Sequence, residues 1–306
     1  DVSSWDAIPV PSSWNIYGIQ KDGSQKYGTP IYVNQPVIFQ HSVKVDDWRG
    51  GVMRTPPANW TTYKDRNEVG SFRRDFEIPQ DWDGREVFIS FDGVDSFFYL
   101  WINGQYVGFS KNSRNTANFN ITPYLQKGKN TVAAEVYRSS DGSFLEAQDM
   151  FRLPGIFRTV ALYSVPKVHF RDLVATPDLD ATYTDGSLTV NAEIRNLDKK
   201  AIKDYKVYYS LYANKLYSDE NTLVDGFLSP VIDKIAPNET GSVQTVLKVK
   251  APNKWSAEFP YRYTLVAELK DKKNRTVEMV STIVGFRKVE IKDTPASEDE
   301  FGLAGR

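Results

Sequence analysis

Residues 143 to 158 read SFLEAQDMFRLPGIFR. Two carboxylates, Glu146 and Asp149, stand three apart among Phe144, Met150, Phe151 and Phe157, with Arg152 and Arg158 close behind. Apolar neighbours and guanidiniums both disturb the ionisation of a carboxylate. A pair of carboxyl groups about 5 to 9 Å apart is the equipment of glycoside hydrolysis. The run is too broken for a long helix and lacks strand alternation, so a spacing of three does not by itself bring the two side chains together. Each carboxylate serves equally well to accept backbone N–H groups or to pair with Arg152 or Arg158. The residues alone leave three readings open: a reaction centre, half of one, or a loop that covers a core.

Other chemistries find little to work with. There is no GxGxxG, P-loop, HExxH or EF-hand run. The chain has no cysteine, which excludes disulfide frameworks and thiolate metal sites. His41 and His169 are the two histidines, too few for a histidine triad or multi-histidine centre, and each is expected at the surface or in a turn. The 38 basic and 39 acidic residues are scattered and leave a net charge of −1. That balance argues against a nucleic-acid footprint and against a polybasic membrane patch. No stretch approaches the ~20 apolar residues of a membrane span. The opening DVSSWDAIPVPSSW has the texture of mid-domain sequence, as in a chain cut from something longer or processed.

The elements that must hold the run are strands. In FRRDFEI (72–78), Phe72, Phe76 and Ile78 fall on one face and Arg73, Asp75 and Glu77 on the other; VFISF (87–91) repeats the pattern. In YLWINGQYVGF (99–109), Asn103-Gly104 separates two apolar-aromatic runs, a strong signal for a two-residue hairpin turn. TVAAEVY (131–137) and VALYSVP (160–166) complete a first block. LTVNAEI (188–194), YKVYYSLY (205–212), SVQTVLKVKAP (242–252), YRYTLVAELKD (261–271) and TVEMVSTIVGFRKVEI (276–291) form a second. The spacing of the second block fits a Greek-key sandwich of immunoglobulin type. The expectation is an all-β chain: a jelly-roll β-sandwich over 1–166, an immunoglobulin-like β-sandwich over 167–292, and a linker or frayed tail over 293–306. With 7 Trp, 17 Tyr and 17 Phe, the aromatics are plentiful. Trp101 and Tyr106, beside the hairpin, are candidates for a sugar-stacking platform, although sandwich cores and interfaces use such residues too and the latter placement is expected here.

IPVPSSWNIYG, GTPIYVNQPVIF, FDGVDSFFYLWINGQYVGFSKNSR and SDGSFLEAQDMFRLPGIFRTVAL together resemble the N-terminal half of the β-galactosidases of glycoside hydrolase family 2. KWSAEFPYRYTLVAEL and VGFRKVEI resemble the second domain of the same enzymes. The resemblance is colinear over nearly the whole chain. The FDGV…NG…VG and GIFR segments are common to the family, whereas E-x-Q-D-M-F-R and PIY-x-N are closer to its β-galactosidases.

The resemblance implies a jelly-roll sugar-binding domain, its opening strand absent from this chain, then an immunoglobulin-like domain, with a TIM barrel to follow. The barrel carries the general acid/base and nucleophile glutamates and the ligands of a Mg²⁺ ion, in a homo-oligomeric retaining glycosidase acting on β-galactosides. No catalytic residue then lies in this chain. Asn34 and Asp149 match residues that reach the galactose subsite, and Asp149 also matches a ligand of an active-site Na⁺ that the barrel completes. Glu146, Arg152 and Arg158 are left as supports of the loop, the arginines by ion pairs, with Phe151 and Pro154 shaping it. The alternatives are a free-standing carbohydrate-binding module and a scaffold without a ligand. A bacterial cytoplasm and periplasm are both compatible with the sequence.

Overall fold

The computed structural model describes residues 2–28, 30, 67–146 and 150–291 of the 306. The chain divides into two compact units, Asp1–Val165 and Pro166–Arg306. Among the described residues no helix is long and apolar enough to cross a membrane.

The first unit begins with a single helical turn, α1 (Trp14–Tyr17). Its strands are β1 (Val69–Glu77), β2 (Glu86–Phe91), β3 (Val94–Asp95), β4 (Phe97–Ile102), β5 (Gln105–Ser110), β6 (Ala117–Asn120) and β7 (Lys129–Tyr137). A second turn, α2 (Ser143–Glu146), precedes β8 (Gly155–Ile156) and β9 (Val160–Val165). The strands pair as β1-β7-β4-β5, as β6-β2-β9 and as a short β3-β8 ladder, antiparallel throughout. Period-two alternation sends Ile89 and Phe91 of β2, Phe98, Leu100 and Ile102 of β4 and Val136 of β7 into one apolar cluster. These inward residues are almost wholly removed from water.

The hairpin between β4 and β5 turns where expected. Asn103 and Gly104 both take positive φ, 51° and 77°, the geometry a two-residue turn of this hand requires. The Asn103 side chain also ties the turn down. Its Nδ2 donates to the Tyr124 carbonyl at 2.9 Å and to Asn130 Oδ1 at 2.8 Å, while its Oδ1 accepts from the Thr131 N–H at 2.9 Å.

The second unit contains β10 (Val168–Leu179), β11 (Gly186–Asn196), β12 (Lys206–Asn214), β13 (Asn221–Leu228), β14 (Thr240–Val249), β15 (Tyr263–Lys270) and β16 (Thr276–Val284). They form two sheets, β10-β11-β14 and β13-β12-β15-β16. Leu188, Val190 and Ile194 of one sheet pack with Tyr209, Leu211 and Leu265 of the other in a single core. The chain is therefore all-β, a jelly-roll sandwich followed by an immunoglobulin-like one.

Two strands carried no readable alternation. β10 holds Pro177 and a bulge between Phe170 and Asp172, both tolerated because it is an edge strand. β13 is the opposite case, an edge strand exposed along almost its whole length, with no apolar face to betray it. The expected strand over 276–291 stops at Val284. Beyond it Phe286 is fully buried and bridges in parallel to Lys254, so the chain leaves the ladder to plug the core. His169 is neither a surface nor a turn residue. It is buried in β10, with Nδ1 3.0 Å from the Pro166 carbonyl, and its donated hydrogen bond satisfies the ring there. His41 lies outside the described residues.

Candidate functional site

The run over 143–158 is fastened at three levels. At the backbone, β8 pairs with β3, so that Gly155 lies opposite Asp95 and Ile156 opposite Val94. On its other side the run meets the segment before α1. The Ser12 N–H donates to the Ile156 carbonyl at 2.8 Å, the Trp14 N–H to the Pro154 carbonyl at 3.3 Å, and Ser13 Oγ to the Leu153 carbonyl at 3.3 Å. Gly155 has φ of 135°, and a Cβ there would come within 2.7 Å of the Ser12 carbonyl oxygen. Only glycine satisfies both conditions at this crossing.

At the side-chain level Glu146 closes α2 onto the segment after β5. One carboxylate oxygen accepts the Ser113 N–H at 2.9 Å and the other accepts the Ser113 hydroxyl in a short bond. Ser113 is fully buried. Arg158 makes no ion pair among the described residues, contrary to the expectation. Its Nη1 donates instead to the carbonyls of Arg114 at 2.9 Å and Asp92 at 3.4 Å, and its guanidinium lies 5.3 Å from the centre of the Phe157 ring. Arg114 covers the same ring at 4.9 Å, approaches Met150 Sδ at 3.3 Å and pairs with Asp95 at 3.5 Å. Arg114, which the sequence reading missed, thus ties the Phe157 ring and Met150 to Asp95, the strand partner of Gly155.

Asp95 was missed as well, and it is the electrostatic hub. Its side chain is only 19% exposed. Burial pushes its carboxyl up to about 6; Arg114 and Arg138 oppose that shift and Glu146 adds to it. Arg152 sits within the field of Asp95 and Arg138, and burial lowers the pKa of its guanidinium. The signal in the sequence was the carboxylate itself, an Asp in the otherwise apolar and aromatic run GVDSFFYL.

The third level joins residues 67–68 to residues 138–139, just after β7. Asn34 and Asp149 both lie outside the described residues. Asn67 and Glu68, where the description resumes after the stretch containing Asn34, bind the end of β7, just before the run containing Asp149. Asn67 Nδ2 donates to the Ser139 carbonyl at 2.7 Å and Asn67 Oδ1 accepts the Ser139 N–H at 2.9 Å. The Arg138 N–H donates to the Glu68 carbonyl at 2.9 Å, and the Arg138 guanidinium, 5% exposed, pairs with the Glu68 carboxylate at 2.7 Å. Asn15, fully buried, spans to the same place, donating to the Tyr27 carbonyl at 2.7 Å and to Glu68 at 3.4 Å. Charge-assisted bonds with one partner this deeply buried hold position well, since losing either partner strands a charge.

What this arrangement can do is position polar groups. Glu146 is occupied on both oxygens, and Asp95 is paired and set back from solvent. Glu146 is the one carboxylate of the run among the described residues. Among the described residues no three His, Asp or Glu side chains gather closely enough to hold a metal ion. The one residue expected to ligate sodium, Asp149, lies outside the described residues. Phe151 and Leu145 remain more than half exposed.

The sequence matches the family described as "Glycosyl hydrolases family 2, sugar binding domain" over residues 1–166, and "Glycosyl hydrolases family 2" over 168–287. It is 39% identical over 289 residues to a β-galactosidase of Priestia megaterium, covering 94% of this chain and 25% of that protein. It is 34% identical over 291 residues to a β-galactosidase of Halalkalibacterium halodurans, covering 95% and 25%. The chain thus spans about a quarter of the length of these relatives. The fold resembles that of a Bacteroides uniformis β-glucuronidase, with a TM-score of 0.70 at 20% identity over 94% of this chain and 30% of that one. It also resembles a putative β-galactosidase from Bacteroides fragilis, at 0.63 and 21% over 73% and 33%. Matched by both family descriptions over adjoining stretches, on the two sandwiches described above, the chain belongs to glycosyl hydrolase family 2.

Proposed function

We propose that this chain is the non-catalytic portion of a retaining β-galactosidase, one that completes a galactose subsite and supports a catalytic barrel lying outside it. In this reading Asn34 and Asp149 bind sugar hydroxyls through amide and carboxylate. Both groups can accept hydrogen bonds from hydroxyls, and Asn34 can also donate. Glu146 and Arg158 hold the run, as do Asp95 and Arg114, while Arg152 neutralises charge beneath it. The whole protein would work by double displacement, with its acid/base and nucleophile supplied by barrel glutamates. A bound Na⁺ would take an oxygen of Asp149 among its ligands, as a hard cation does, while Mg²⁺ would be held by the barrel. The parent would be homo-oligomeric.

The observation that carries this reading is the state of Glu146. Its two oxygens are both committed to Ser113, so Glu146 supports the run rather than serving as proton donor or nucleophile. The identity to β-galactosidases over 94% of the chain supports the choice of sugar.

The test is calorimetric titration of galactose and lactose into this chain with Na⁺ present, beside an Asp149→Ala variant. The expected result is no heat up to tens of millimolar in either protein, because half a subsite binds too weakly to register. Galactose binding that Asp149→Ala abolishes would mean instead that the run recognises sugar without the barrel.

A further inference from the structure

The outer face of the four-stranded sheet in the first unit is built in two halves of different chemistry. Inward residues of β4 alternate with Phe97, Tyr99 and Trp101, which point outward. Tyr106 and Phe109 of β5 and Tyr137 of β7 stand beside them. In register, Tyr99 faces Phe109, Trp101 faces Tyr106 and Phe97 faces Tyr137. The six rings form one continuous stripe with neighbouring centroids 4.7 to 6.3 Å apart. None belongs to the core cluster, so of the core or interface placement expected for Trp101 and Tyr106 the core placement does not hold. Tyr106 is 51% exposed and Phe109 53%. Most neighbours meet at steep angles, but Phe97 and Phe109 lie within 33° of a common plane at 5.7 Å.

The other half of the face, on β1 and β7, is polar. Arg73, Asp75, Lys129 and Thr131 are paired with one another there. Between the halves lies Glu135, opposite Tyr99. One of its oxygens accepts the Tyr137 hydroxyl in a short bond. The other oxygen has no partner among the described residues. A stripe of rings beside an unused carboxylate oxygen and tyrosine hydroxyls offers apolar faces and hydrogen-bond acceptors at one place.

From this juxtaposition we propose that the outer face of β4 and β5 is a second carbohydrate site, separate from the run over 143–158. It binds a β-linked pyranosyl oligosaccharide by stacking on Tyr106 and Phe109, with Glu135 accepting a sugar hydroxyl. The flat C–H faces of such sugars match exposed rings, and their equatorial hydroxyls match a carboxylate at the rim. Size decides against a protein partner. Three strands ~4.8 Å apart and six residues of ~3.3 Å rise give a stripe of roughly 300 Å². A stable protein interface needs about 800 Å² per partner. A patch of a few hundred Å² suits a ligand. Monosaccharides cover too little of the stripe to register, so the site is expected to show itself only with longer chains.

The probes are β1,4-linked galactotetraose and cellotetraose, titrated calorimetrically into the chain and into Tyr106→Ala, Phe109→Ala, Glu135→Gln and Asp149→Ala variants. Unfolding midpoints establish that each variant is folded; Tyr106 and Phe109 are half-exposed, so their removal leaves the core intact. The expected result is millimolar binding of at least one tetrasaccharide. Tyr106→Ala and Phe109→Ala weaken it at least tenfold, Glu135→Gln weakens it less, and Asp149→Ala leaves it unchanged. The last variant separates this site from the galactose subsite proposed above. Three results would overturn the proposal: no binding of either tetrasaccharide at tens of millimolar, binding indifferent to both ring substitutions, or binding lost with Asp149→Ala. So would a concentration-dependent dimer that the ring substitutions dissolve, since a second copy would then be what covers the face.

Discussion

In the second unit the space between the sheets is filled by side chains such as Leu188, Val190, Leu211, Leu265 and Leu269, each fully buried. Its charged groups are exposed or paired at the rims, as Lys215 is with Glu220. The first unit has an apolar layer of the same kind along β2 and β4, but it adds a charged one. Arg138, Asp95 and Glu68, with Arg152, Arg114 and Glu146, crowd the region under the run over 143–158. Such a layer costs desolvation that aliphatic packing does not. The comparison teaches where each unit's selection lies: the second is built for stability, whereas the first gives up stability to hold particular backbone segments together.

The largest effect that would break this comparison belongs to the second unit. Leu265→Ala should cost about 3 kcal/mol, because a fully buried leucine leaves a cavity. Hydrogen exchange should accelerate in β11, β12 and β15 and stay unchanged in β2 and β4.

Asp95 gives the next effect, and its sign is the informative part. Folding raises its carboxyl from an ordinary 3.8 to about 6. Between those values the folded state binds more protons than the unfolded one. Stability therefore falls as pH rises through that window, and at pH 7 the buried charge costs up to about 3 kcal/mol. Asp95→Asn should accordingly stabilise the chain at pH 7, with the gain shrinking as pH falls toward 4. Urea unfolding at the two pH values measures the difference, from which the other carboxylates cancel. A variant equally destabilised at both would mean that Asp95 stabilises the fold through Arg114 rather than at its expense.

The smallest effect sharpens the contrast from the other side. Lys215 and Glu220 pair at 2.7 Å but are 62% and 71% exposed. Lys215→Ala should change stability by less than about 0.5 kcal/mol, within the range of exposed ion pairs.

The apolar skeleton was legible in the sequence because alternation reports burial directly. The β2 and β4 strands, the Asn103-Gly104 turn and the β11 and β15 strands all followed from period two and turn chemistry. β13 was not legible, since an exposed edge strand has no apolar face to alternate. The polar layer was less legible for a different reason. Arg138 binds Glu68 across seventy positions, and Arg114 reaches Asp95 and Phe157 across nineteen and forty-three. No local pattern encodes such pairings. Arg158 was read as an ion-pairing residue because Asp149 and Glu146 are near in sequence, yet its guanidinium donates to the carbonyls of Arg114 and Asp92. Glu146 could be placed only once Ser113 was seen beneath it.

The central claim is that the run over 143–158 and the stretch bearing Asn34 form half of a sugar site. The most direct measurement replaces the matching quarter of the Priestia megaterium β-galactosidase with this chain and follows hydrolysis of a β-galactoside. The chimera should be active, and Asn34→Ala or Asp149→Ala should each lower kcat/KM by about a hundredfold, as misplacing the substrate does. An Asp149→Ala chimera that hydrolyses as well as the unsubstituted one would contradict the account.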